Sequence, residues 1–275
     1  MRSGSGWLLF PALLLIFLFF LWPLAGMFIT TIYDARAGFS ALHGYQRFFT
    51  DPFFLEVFLR TVIIGLLVTG ICMLLAYPVS MLLARLSGAK KSLLMALVVF
   101  PLLTNSVVRT FSWMVVLGKF GFVNKTLMWL GLIDNPVKLL YTPIAVVVGL
   151  VHLFLPLLVL SLTSAMENIN PSALEAAESL GAGPVRKFFR VLLPLTIPGL
   201  AVGAALVFTG STTAYVTPQM LGGSRVLMMS TLMYQKAMIS FDWGTATTIA
   251  AISTAVTFLV IGVLYAAARR LGARA

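Results

Sequence analysis

Six long apolar stretches recur along this 275-residue chain, at Trp7–Ile32, Thr61–Ala84, Ser92–Gly118, Tyr141–Met166, Val191–Tyr215 and Gly244–Ala268. About 20 such residues cross a hydrocarbon core as one α-helix. Only a helix or a closed barrel satisfies its backbone polar groups there. The chain is therefore expected to be all-α, a polytopic membrane protein with six transmembrane helices and one single domain over residues 1–275. Composition agrees. Hydrophobic types make up 60% and charged types 10%, against about 25% charged in a soluble domain. A soluble enzyme, a disordered chain and a disulfide scaffold are excluded. Arg109 is the one charge inside a stretch. Prolines fall in or at the spans (Pro11, Pro23, Pro78, Pro101, Pro143, Pro156, Pro194 and Pro198), and spanning helices tolerate them where neighbours re-satisfy the backbone. The first stretch, preceded by Arg2, is longer than the apolar core of a signal peptide and is expected to be a retained span.

The net charge is +11. The cations cluster at the ends of apolar stretches, so membrane topology and anionic lipid explain them, and no nucleic-acid partner is implied. With the N-terminus inside, the inner segments hold ten Lys and Arg and the outer segments eight, and the inner segments are together about half as long. This predicts a multi-pass protein with both termini cytoplasmic. Cys72, the single cysteine, makes no intrachain disulfide and reads as a buried small apolar residue. No G-x-x-x-x-G-K-[S/T], H-E-x-x-H or G-x-S-x-G occurs, so no catalytic, metal or cofactor-binding residue is assigned; ATP and Mg belong to another polypeptide if transport is ATP-driven. His152, inside the fourth stretch, is expected to be neutral and bonded to a neighbouring helix. No acidic residue lies inside the six stretches, which disfavours a carrier coupled to protons or sodium.

The inner loop at about 167–190 has the most local structure. Ser172 and Glu175 form an S-x-x-E capping box, and Asn170-Pro171 is a second possible helix start. Gly181 suits a left-handed stop, and Gly183-Pro184 prevents continuation. Ala173, Ala176, Ala177 and Leu180 share a small-residue face. From mechanics alone, two readings stand side by side: an amphipathic connector resting among headgroups, and a surface that another protein approaches closely.

The loop resembles the EAA motif of binding-protein-dependent ABC importer permeases: Glu175-Ala176-Ala177, three residues, Gly181, nine residues, Val191, one residue, Leu193-Pro194. Val191 stands where isoleucine is usual. Further matches lie in Tyr45-Gln-Arg-Phe-Phe-Thr-Asp-Pro52, Ala76-Tyr-Pro78, Val108-Arg-Thr-Phe-Ser-Trp113, Gly121-Phe-Val-Asn124, Leu155-Pro156, Pro198-Gly199 and Val216-Thr-Pro-Gln-Met-Leu-Gly-Gly223. They resemble the spermidine/putrescine branch, whose relatives also carry other small solutes. The resemblance implies a permease subunit in the bacterial cytoplasmic membrane that moves a polyamine-like solute. The implied partners are a dimer of ATP-binding subunits, a second and different permease chain, an extracellular solute-binding protein and the lipid bilayer. It implies that the helix carrying Ser172, Glu175, Ala176 and Ala177, ending at Gly181 before Leu193 and Pro194, is a cytoplasmic coupling helix.

Other candidates concern the pathway or its outer gate. Arg109, with Trp113 nearby, is expected to snorkel to the outer headgroups, with a role at the pathway mouth as the alternative. Thr212, Thr213 and Tyr215 form a polar patch in an aliphatic run, their hydroxyls expected to bond across helices or to line a hydrated path. Thr217 to Gly223 reads as an outer re-entrant turn, with Gly222 and Gly223 permitting a sharp bend. The rival functions are an importer permease for an amino-acid derivative, metal or organic anion, an ion-coupled secondary carrier, and a membrane scaffold or enzyme.

Overall fold

The computed structural model describes residues 6–32 and 41–272. Arg2, Arg36 and Arg274, which enter the charge count above, lie outside the described residues. The chain is helical, with no strand among the described residues. In order the elements are α1 (Gly6–Ile16), a π-turn (Phe17–Leu21), α2 (Trp22–Ile32), α3 (Ala41–Thr50), α4 (Pro52–Arg85), α5 (Gly88–Leu103), α6 (Ser106–Leu117) and α7 (Phe122–Trp129). Then follow α8 (Pro143–Glu167), α9 (Pro171–Ser179), α10 (Pro184–Lys187), a π-turn (Phe188–Leu192), α11 (Leu193–Thr213), α12 (Val216–Leu221), α13 (Met229–Tyr234), a π-turn (Gln235–Ile239) and α14 (Trp243–Gly272).

Six helical segments are long and apolar enough to cross a membrane: Phe10–Ile29, Pro52–Arg85, Ser106–Trp129, Pro143–Glu167, Pro184–Thr213 and Trp243–Arg270. Their number and order match the sequence reading, and three boundaries differ. The third stretch is not one helix. The backbone turns extended at Thr104, and the Asn105 side chain accepts from the amides of Val107 and Val108 at 2.9 and 3.4 Å. An N-cap thus restarts the chain inside a continuous apolar run. The second span starts early because Asp51 accepts from the Phe53 amide at 2.9 Å, which takes Glu56 into the first turns of α4. The fifth starts at Pro184 rather than Val191.

Contacts group the described residues into two units. The smaller comprises the described residues up to Glu56 together with Leu232–Ala255. Within it, Tyr45 of α3 donates to the Thr31 hydroxyl of α2 at 2.9 Å, and Phe48 is buried against Phe49 and Phe54. The larger comprises Val57–Thr231 and the described residues from Val256. Its core is a stripe on α4 (Ile64, Val68, Cys72, Ala76, Leu83) against α8 (Val146, Leu150, Leu158, Val159, Leu162). Spacings of four and seven residues keep the α4 side chains on one face. Cys72 is fully buried, as its place in the sequence suggests.

Small residues bring α11 onto α8. A Cβ on Gly199 would lie 2.3 Å from the Ala165 Cβ, and one on Gly210 2.4 Å from the Phe154 ring. Gly199 and Gly203 form a G-x-x-x-G pair, the pattern that lets membrane helices approach closely. The Ser161 hydroxyl seals the contact by donating to the Gly199 carbonyl at 2.7 Å.

Candidate functional site

The loop between α8 and α11 is built from its two ends inward. Asn170 caps α9, its side chain accepting from the Ser172 amide at 3.1 Å, and Pro171 occupies the first helical position. The capping box at Ser172 and Glu175 does not form; the second start is the one used. Asparagine caps as well as serine does, and the adjacent proline has its φ preset for a first turn. At the other end Gly181 adopts φ +75°. Its amide donates to the Glu178 carbonyl at 2.9 Å, and the Ala182 amide to the Ala177 carbonyl at 3.0 Å. These are the two bonds of a Schellman stop.

Two ion pairs brace this frame. Lys91 at the start of α5 meets Glu167 at the end of α8 at 2.6 Å, just before the loop begins. Lys187 of α10 pairs with Glu178 of α9. The hydrogen bond from Lys187, then its positive charge, hold the Glu178 carboxyl below the ordinary glutamate range. Glu175 and Ala176 are exposed, Ala177 is half-buried, and Leu180 is 86% exposed. The loop thus presents a short, pinned helix with small side chains, one carboxylate without an ion pair among the described residues, and a bare leucine at its tip.

Behind the loop, Leu193 and Pro194 open α11 after a π-turn in which the Leu193 amide donates to the Phe188 carbonyl. Pro194 has no amide to give to the preceding turn. Tyr77 of α4 grips this junction at two points. Its hydroxyl bonds the buried Thr196 hydroxyl, and its ring meets Phe188 edge-on at 5.2 Å between centroids. Sequence reasoning assigned Tyr77 no role; a tyrosine within an aliphatic run was the available signal, since a phenol in a span needs a partner.

The second group of candidates lies around α12. Arg109 does not snorkel. It is 8% exposed and donates to the Pro101 carbonyl at 2.7 Å and to the Thr104 carbonyl at 3.3 Å. The Arg109 side chain reaches back past the break at Asn105, so that the guanidinium serves the carbonyl end of α5, where a cation is favoured. Trp113 is likewise no free interfacial anchor: its indole N–H donates to His152 Nδ1 at 3.0 Å. This is the cross-helix bond expected of His152, and an accepting Nδ1 leaves that nitrogen unprotonated. Among the described residues the hydroxyls of Thr212 and Thr213 do not bond across helices. They fold back onto the Phe208 and Thr209 carbonyls of their own helix at 3.0 and 2.7 Å, the cheapest partners for threonine in a helix. Tyr215 precedes α12 as its N-cap. The re-entrant turn is a short helix. Thr217 is buried beside the Thr110 hydroxyl at 3.5 Å, and a Cβ on Gly149 of α8 would strike Leu221 and Thr217 at 2.6 and 2.7 Å. The bend follows at Gly223, with φ +56° and the Tyr141 ring 3.0 Å from a Cβ position, while Gly222 is wedged against the Pro218 carbonyl. The carboxamide oxygen of Gln219 is buried without a hydrogen-bond partner among the described residues.

Residues 76–273 match the binding-protein-dependent transport system inner membrane component family. The chain belongs to this family. The spermidine/putrescine transport system permease protein PotB of Escherichia coli (strain K12) is 35% identical over 210 residues, 76% of each chain. PotB of Haemophilus influenzae is 34% identical over 226 residues, 82% of this chain and 79% of its own. A protein of Salmonella typhimurium named as a 2-aminoethylphosphonate transport system permease, PhnU, is 29% identical over 269 residues, 98% and 93% of the two chains. The fold is that of solved importers. A bacterial alginate ABC transporter in complex with an alginate-bound periplasmic protein superposes at TM-score 0.78 with 18% identity, over 98% of this chain and 96% of that one. The inward-facing MetNI methionine transporter superposes at 0.58 with 17% identity, over 79% and 95%.

The permease is thus a multi-pass inner-membrane subunit of an ABC importer and not an enzyme, with ATPase and binding-protein partners. The EAA stretch, Glu175 to Pro194, falls within the matched residues, as do Arg109 and the segment from Thr212 to Gly223. Tyr77, at the start of the match, ties the span at the matched region's edge to the base of the loop.

Proposed function

We propose that α9 is the coupling helix that seats in an ATP-binding subunit, and that the permease passes a polyamine-like solute. The pinned, exposed α9 with its Schellman stop carries the first part. A transmitter of force must not unravel when pushed. The cap at Asn170, the stop at Gly181 and the Glu178–Lys187 pair fix α9 at both ends, and Tyr77 couples its base to α4. Closure of two ATP-binding subunits then levers the loop, and the bundle switches between two packings of its helices. ATP and Mg sit on those subunits. A second, different permease chain completes the path. Most side chains of the first span, Phe10–Ile29, are exposed among the described residues, a surface suited to lipid or to that partner. Both termini and α9 face the ATPase side. The segment Thr212–Gly223 with Arg109 behind it forms part of the gate at the opposite end, Arg109 acting through the α5–α6 break rather than by touching solute.

The coupling role is tested by Gly181→Asp against Gly181→Asn in the assembled importer. A Cβ there meets nothing within 4 Å, and the left-handed backbone strains both side chains alike, so the comparison isolates the charge. ATP-dependent uptake should be lost with the buried charge of Asp and largely kept with Asn, membrane insertion being equal. Uptake by Gly181→Asp at the wild-type rate would overturn the assignment.

The PotB relatives support the solute class. The PhnU relative, matching nearly the full length, favours a zwitterionic phosphonate as second reading. Competition of labelled spermidine uptake by unlabelled 2-aminoethylphosphonate, with the cognate binding protein present, separates them. Spermidine transport resistant to the phosphonate supports the polyamine reading; phosphonate uptake without spermidine uptake supports the other.

A further inference from the structure

We propose that the foot of the fifth span is a binding site for an anionic phospholipid. An open concavity of about 530 Å³ is lined by Gly183, Pro184, Val185, Arg186, Phe189 and Arg190. Its floor is apolar and uncovered: Val185 is 70% exposed and Phe189 61%. Its rim carries two guanidinium groups one helical turn apart, on the same side of the helix. Lys187 between them is neutralised by Glu178, and Lys91 of α5 by Glu167. Arg186 and Arg190 make no ion pair among the described residues.

Depth decides what such a site meets. The span Pro184–Thr213 has 30 residues, about 45 Å at 1.5 Å per residue, whereas the hydrocarbon core is about 30 Å thick. The span is too long for the core alone, and the end rich in arginine is the end that emerges. Its first two turns therefore lie among headgroups, with Val185 and Phe189 at the level of the glycerol and upper acyl chain. A phosphodiester offers two acceptor oxygens to the planar fork of arginine, a pairing stronger than that with lysine. A lipid with net negative charge matches the rim, and its acyl chain covers the apolar floor. An acidic protein surface matches the rim alone and leaves Val185 and Phe189 facing the bilayer.

The site is tested on the intact chain in its transport complex, purified in neutral detergent and titrated with phosphatidylglycerol or phosphatidylcholine. Native mass spectrometry reads retained lipid, and thermal unfolding reads stabilisation. The wild type should retain phosphatidylglycerol in preference to phosphatidylcholine and unfold at a higher temperature with it. At about 1 kcal/mol for each basic residue near anionic headgroups, the double variant R186Q/R190Q should bind phosphatidylglycerol about thirtyfold more weakly. R269Q/R270Q, which removes equal charge from the end of α14, should bind within about twofold of wild type. R186K/R190K, which keeps charge and loses the forks, should fall between. Equal retention of phosphatidylglycerol by R186Q/R190Q and the wild type overturns the proposal. So does a wild type that does not distinguish the two lipids. If R186Q/R190Q keeps its lipid and loses the ATP-binding subunit on purification, the arginines serve protein docking and the lipid site falls.

Discussion

Arg109 shows what a single charge costs inside a span and how the cost is met. Its Nη1 reaches the Pro101 and Thr104 carbonyls, which the end of α5 leaves without helical donors. Replacement by methionine would keep length and remove both bonds. The Thr104 hydroxyl still donates to the Pro101 carbonyl at 2.9 Å, so the half-buried Thr104 carbonyl is the acceptor left open, at about 1–3 kcal/mol, and Arg109→Met should lower the thermal midpoint of the purified complex by a few degrees. Arg109→Lys, with one flexible ammonium, should lose about half as much. A selectivity role would instead show as altered solute competition at unchanged stability. The arginine was legible in the sequence as an anomaly, because it is the one charge in an apolar run. Its partner was not, because hydropathy averages over the break at Asn105 that brings Arg109 back to Pro101. The same blindness applies to Thr212 and Thr213: a hydroxyl in a span must bond something, and sequence does not say whether that partner is another helix or its own.

At the scale of elements, α9 and its neighbours were the most legible part. Proline after asparagine and glycine after the last helical turn are local signals that need no tertiary context, and α9 begins and ends where they say. The ambiguity between Ser172 and Asn170 as cap is a competition between two good caps, settled by the proline that follows only one of them. The brace from Lys187 to Glu178 was hidden, because it depends on the bend at Gly181–Pro184. That brace has a pH signature. The folded carboxyl titrates below the ordinary value of 4.5, so the pair's contribution is full above the unfolded value and disappears as pH falls through the lowered folded value. Spin labels on Ser179 and Val185 should report a fixed separation from neutral pH down to the ordinary glutamate range, and a broader distribution below it. In Glu178→Gln the broader distribution should be present at every pH. The contact of α8 with α11 is a second element-scale device. Gly199→Val should destabilise by about 1–3 kcal/mol through overpacking, because a Cβ there collides with Ala165. Adding Ala165→Gly should restore most of the loss, measured as thermal midpoint. A lesion that Ala165→Gly leaves unrelieved would mean that α11 contacts something else at this point.

For the whole molecule, parity carries the functional argument. Six crossings would put both chain ends and the α8–α11 loop on one side, and the segment after the third span opposite. The coupling role proposed for α9 requires this arrangement, with that side cytosolic. Periodicity and length made the number of spans legible, since apolar runs of this size have no other stable solution in lipid. Charge counting bears on their direction less sharply, because the two sides differ by two cations. The lone Cys72 offers a clean test. It is fully buried, so the native chain should resist a membrane-impermeant maleimide from either side until it is denatured. In that silent background Ser179→Cys, on exposed α9, should label in inside-out vesicles and not in intact cells. Leu130→Cys, on an exposed residue between the third and fourth spans, should show the reverse. Labelling of both from the same face would mean that α8 does not cross the membrane, because the two positions are separated by α8 alone. Labelling of both with sides exchanged would keep the fold and invert its direction, and α9 would then stand on the side where no ATP-binding subunit can reach it.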